Sequence, residues 1–159
     1  MSRLTVLFAA LICLLSACSG FKAYRNNYER NLFITTETET RGLFSGVAAS
    51  LDIYRMQGDC SKQYEGSVEL GNSLVEVGIP IEEPAYLVFR FESSAFLSNS
   101  HSSMGYDVTL YPLTDHVYDL NVTYRDSIYN VEVQERLRGG TDGQAMIIDL
   151  QDQPCSARI

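Results

Sequence analysis

Ala85-Tyr86-Leu87-Val88-Phe89-Arg90-Phe91-Glu92 decides the fold. Ala85, Leu87, Phe89 and Phe91 share one parity, and Tyr86, Val88, Arg90 and Glu92 share the other. A strand imposes this period of two by sending successive side chains to opposite faces. Apolar residues stand on both parities, which predicts a strand inside a sheet rather than at its rim. Aromatic and branched side chains also suit a pleated surface.

The period continues on both sides. Upstream, Val47, Ala49, Leu51 and Ile53 alternate with Ala48, Ser50, Asp52 and Tyr54, until Gln57-Gly58-Asp59 breaks the run before Cys60. Tyr64, Gly66, Val68 and Leu70 are predicted on one face, and Val75, Val77 and Ile79 follow a turn at Gly71-Asn72. Downstream, Ser93 to Ser103 reads as a serine-rich loop, and Tyr106, Val108 and Leu110 resume the alternation. Tyr118, Leu120, Val122 and Tyr124 face one way, and Tyr129, Val131 and Val133 return against them across Asp126-Ser127. Gly139-Gly140-Thr141-Asp142-Gly143 leads into a strand pattern with Met146, Ile148 and Leu150, not into a helix, so it is not a phosphate cradle.

About eight strands at intervals of roughly ten residues, with no convincing amphipathic helix, predict an all-β domain. The expected architecture is an antiparallel β-sandwich, immunoglobulin-like or transthyretin-like, over residues 44–159. A small barrel is the alternative, because alternation alone does not reveal closure.

The N-terminus has a different composition. Arg3 supplies a positive charge, Leu4 to Leu15 are nearly all apolar, and Ser16 and Ala17 are small, the three parts of an export signal. The apolar run falls short of the roughly 20 residues a spanning helix needs. Leu15-Ser16-Ala17-Cys18 resembles the lipobox of bacterial lipoprotein precursors. The resemblance implies cleavage after residue 17, acylation of Cys18, and membrane attachment through that lipid. Ser19 after the cysteine implies sorting to the outer membrane, with the chain facing the periplasm. Ala17-Cys18-Ser19 also satisfies a small-x-small pattern, so an ordinary cut after Ser19 is the alternative. The resemblance covers the leader only. Residues 18–43, with Asn26-Asn27 and the polar run Thr35 to Thr40, read as a lipidated tether in which Leu32-Phe33-Ile34 docks as a short edge strand.

On that reading only Cys60 and Cys155 remain as thiols in an oxidising compartment, and a disulfide between them is expected. The formal net charge of −8 falls further once Arg3 is removed, and no basic cluster exists to follow a nucleic-acid backbone.

No motif carries a reaction. His101 lies among serines without an orienting third group. Asp115, His116 and Asp119 include metal-ligand types, but strand geometry sends His116 and Asp119 to opposite faces. Glu82-Glu83 and Glu132/Glu135 read as solvated charges, and no cofactor is called for. The chain has 10 tyrosines and no tryptophan. Tyr54, Tyr86 and Tyr111 fall opposite the inferred core, where exposed rings suit a sugar or a protein partner. The expected function is a non-enzymatic binding or assembly module of the bacterial envelope, with a protein or glycan partner. The alternatives are an envelope hydrolase of peptidoglycan or glycan, and an inhibitor or immunity lipoprotein presenting the Ser93–Ser103 loop.

Overall fold

The computed structural model describes residues 22–38, 45–71, 73–95, 100–125, 128–140 and 143–145. They contain nine strands: β1 (Leu32–Thr38), β2 (Ser45–Met56), β3 (Lys62–Leu70), β4 (Val75–Val77), β5 (Ala85–Ala95), β6 (Ser100–Leu110), β7 (His116–Arg125), β8 (Ile128–Leu137) and β9 (Gln144–Ala145). These form two sheets, ordered β3-β2-β5-β6 and β4-β1-β7-β8-β9. The molecule is a β-sandwich, and the barrel alternative falls away because the strands form two separate sheets.

β5 lies inside its sheet, between β2 and β6, as its two apolar parities predict. Its Ala85, Leu87, Phe89 and Phe91 are buried against Leu32, Ile34, Leu120 and Val122 of the facing sheet. Each of these side chains larger than Ala85 contributes roughly 1.5–3 kcal/mol when fully removed from water.

The reading of residues 18–43 as a tether is overturned for the part described. β1 is no edge strand. It runs between β4 and β7, antiparallel to one and parallel to the other, and Leu32 and Ile34 are fully buried. Residues 22–31 form a strap that crosses from one sheet to the other. Tyr24 N–H donates to the Ser67 carbonyl and Ser67 N–H to the Lys22 carbonyl, which covers the free edge of β3. Asn31 ends the strap as a fully buried clasp: its amide donates to the Ile79 carbonyl at 2.9 Å and accepts from Ile79 N–H at 2.9 Å. The strap lacks a period because its backbone bonds are met singly, by edges and amide side chains, rather than along a ladder.

Two glycines make room for it. A Cβ on Gly66, whose φ is +147°, would lie 2.6 Å from Tyr24 Cα, and one on Gly78 would run into the Tyr28 carbonyl.

Two further expectations change. Register slips between β2 and β3, where Ile53 faces Gly66 but Tyr54 faces Tyr64, so Glu65 is an extra residue in β3. This bulge reverses the parity of what precedes it, and Tyr64 lies on the outer face instead of with Val68 and Leu70. The Ser93–Ser103 segment, expected as a loop, is strand at both of its ends, with residues 96–99 outside the described residues. Ser93 pairs with Ser102 and Ala95 with Ser100, extending the β5–β6 hairpin.

Candidate functional site

The bulge and the strap together shape one end of the four-stranded sheet's outer face. Tyr54 of β2 pairs with Tyr64 of β3 and Tyr86 of β5 across the outer face of the four-stranded sheet. The Tyr54 ring lies 5.3 Å from Tyr64 and 5.8 Å from Tyr86, the second contact edge-to-face. Lys62 Nζ sits 3.3 Å from the Tyr86 ring centroid, an attraction of cation to ring quadrupole. Tyr86 Oη donates to Asp107 at 2.9 Å.

A chain of polar contacts fixes this row from the next one. Tyr64 Oη and Ser67 Oγ share a hydrogen bond of 2.6 Å, Ser67 Oγ donates to Asp52, and Arg90 Nε donates to the other oxygen of Asp52. Asp52 is buried, so its carboxylate needs both donors.

Beside the row lies a cleft of about 560 Å³ between the strap and the end of β2. Tyr24, Arg25 and Tyr28 of the strap, Tyr54 and Arg55 of β2, and the bulged Glu65 line it. Arg55 Nη2 donates to Tyr28 Oη at 2.6 Å, and Arg55 Nε lies 3.5 Å from Glu65 and 4.0 Å from Glu83. That Nε is buried without a hydrogen-bond partner, one of two such side-chain atoms among the described residues. The lining thus offers ring faces, hydroxyls, cations and a carboxylate within a concave space of ligand size.

The sequence-derived residues divide. Tyr54 and Tyr86 come together, whereas Tyr111 lies past the end of β6, 51 % exposed and outside these ring pairs. Cys60 occupies the turn after β2, its N–H donating to the Gln57 carbonyl and its φ at 65°. Cys18 and Cys155 lie outside the described residues. His116 Nδ1 approaches the Thr114 carbonyl at 2.8 Å while Asp119 binds Arg136 at 2.5 Å, so the two turn to different partners. Glu82 accepts from Thr114 and Glu83 lies near Arg55. Glu135 accepts from Tyr118, and Glu132 from Asn130. Tyr24, Tyr28, Tyr64 and Arg55 were not foreseen. The only signal for Tyr64 was Gly66, a strand glycine of the kind that marks a bulge.

Burial pushes three phenols up to about 12: Tyr24, Tyr86, where the bond to Asp107 adds to it, and Tyr118. The ordinary value is 10.0, so the folded state holds these protons longer than the unfolded chain does. Their contribution to stability is complete below pH 10 and disappears as pH rises through 12. Phenolate absorbance is expected to rise in two phases, the later one coinciding with unfolding. A single phase near pH 10 in still-folded protein would refute this assignment.

What stands here is a β-sandwich with an aromatic, polar cleft beside a row of tyrosines. Compared with known proteins, the chain matches no family model, no curated protein and no solved structure.

Proposed function

We propose that the chain is a non-enzymatic binding module of the bacterial cell envelope whose cleft takes a glycan. The observation that carries this reading is the cleft itself: three tyrosines around Arg55, whose buried Nε has no hydrogen-bond partner. Sugars present apolar C–H faces to rings and hydroxyls to charged and amide groups, and both kinds of surface meet there. Tyrosine and arginine are also the residues that dominate binding energy at protein surfaces. For the inhibitor reading, both ends of the Ser93–Ser103 segment pair as hairpin strand, and residues 96–99 between them lie outside the described residues. For the hydrolase reading, the cleft carboxylate Glu65 lies 3.5 Å from Arg55 Nε.

The location rests on the leader. Acylation of Cys18 after cleavage at residue 17 places the domain on the outer membrane, within reach of envelope glycan. Several acyl chains on that one cysteine make a stable anchor, which one chain would not. In that oxidising compartment a bridge from Cys60 to Cys155 completes the proposal. A loop of almost a hundred residues gives up to about 4.7 kcal/mol on the entropic account.

Calorimetric titration with soluble peptidoglycan fragments tests the function. Binding is expected for the wild type, with at least a tenfold loss in Tyr54→Ala and in Arg55→Ala. Absence of binding to every glycan offered, or wild-type affinity in both variants, would overturn it. Fractionation tests the location: Cys18→Ser should move the protein from membranes to the soluble periplasm, with its remaining cysteines resistant to alkylation. Unchanged membrane association would reject the anchor.

A further inference from the structure

The four outer edges of the two sheets are not treated alike. Among the described residues, β4 and β9 are three and two residues long, and the strap covers β3 at its bulge. Short strands, bulges and covering segments are the devices by which sheets avoid joining end to end. Among the described residues, β6 has none of them. It is 11 residues long, pairs with β5 without a register shift, and contains no lysine, arginine or proline. Residues 102–107 are exposed along it.

Its composition is also unexplained by its own chain. Met104 and Tyr106 oppose Phe91 and Phe89, whose side chains fill the core, yet they remain 51 % and 40 % exposed. Gly105, between them, is a poor strand residue that nothing nearby requires. Its φ is not in the left-handed region, and a Cβ there would meet only Val88 Cγ1, at an ordinary 3.7 Å. A glycine in a strand interior often marks the close approach of another backbone.

We infer that β6 pairs antiparallel with β6 of a second copy, across a two-fold axis at Gly105, joining two four-stranded sheets into one. In this register Met104 faces Tyr106 of the second copy in both halves, a sulfur–aromatic pair that covers the exposed side chains. Asp107, the acidic residue of the strand, faces Ser103 rather than its own copy, so no like charges oppose. A two-fold axis closes the assembly at two, because it uses the same edge of each copy.

The register gives the test. Residues opposed at the axis have Cα atoms about 4.5–5.5 Å apart. Those at position 107 would be about 14 Å apart, beyond the reach of a disulfide. Under mild oxidation, Gly105→Cys is therefore expected to form a covalent dimer, and Asp107→Cys to stay uncrosslinked, each compared with the wild-type chain treated alike. Sedimentation should find wild type as a dimer and Gly105→Lys, which sets two ammonium groups face to face, dissociating at least tenfold more readily. Circular dichroism of Gly105→Lys should remain strand-like. A wild-type monomer at every concentration, as for an edge reserved for a different protein, would overturn the proposal. So would equal crosslinking at 105 and 107.

Discussion

Phe91→Ala is expected to lose about 3–5 kcal/mol of stability, the cost of emptying a large aromatic site that cannot collapse. Phe91 is fully buried, and its ring centroid lies 4.5 Å from that of Tyr129, which stacks on Tyr124 at another 4.5 Å. Phe91 belongs to β5 and the two tyrosines to β8 and β7, so this ring column joins the two sheets. Domains of this size hold roughly 5–15 kcal/mol in total, so the variant should melt on the order of 10 °C lower. Phe91→Leu keeps most of the volume and should cost under about 1.5–2 kcal/mol. Urea unfolding measures both. A loss below about 1 kcal/mol for the alanine variant would mean that the column does not hold the sheets together.

Asn31→Ala should cost about 2–4 kcal/mol, because it strands the N–H and the carbonyl of Ile79 in a buried place. No apolar replacement repairs this, since the unmet partners are backbone. Asn31→Asp separates the two bonds. Its carboxylate keeps the acceptor for Ile79 N–H but turns a second acceptor toward the Ile79 carbonyl, which raises its folded-state pKa. Only the protonated form can donate there, so the variant's deficit should be smallest below the ordinary carboxylate pKa and grow as pH rises through the raised value. Denaturation midpoints at several pH values relative to wild type check the sign. A pH-independent difference would show that the amide donor contributes nothing.

Most of the sandwich was legible because a ladder writes its period into consecutive residues. Leu87, Phe89 and Phe91 could face the core only together, and so could Leu120 and Val122. The strap was illegible for the opposite reason. Its contacts are to edges far along the chain, as when Asn26 Oδ1 accepts from Gly78 N–H at 2.6 Å, and such contacts leave no local pattern. The bulge hid Tyr64, because one inserted residue flips parity without changing composition. The cleft needed both of these, so residue type pointed to Tyr54 and Tyr86 without revealing which neighbours they would share.

The parallel pairing of β1 with β7 gives the domain a mechanical character. Any tension applied to the N-terminus runs first through the strap and then along β1, whose residues Leu32 to Thr38 pair one by one with Tyr118 to Tyr124. A pull along the strand axis loads those pairs side by side, in shear. A pull across the axis would open them in succession, as a zipper opens. The strap's link to β3 at Ser67 lies ahead of that ladder, so it takes the load before the pairs behind it. A domain held by its N-terminal end thus meets tension at a single stitch before it reaches a seam loaded along its length.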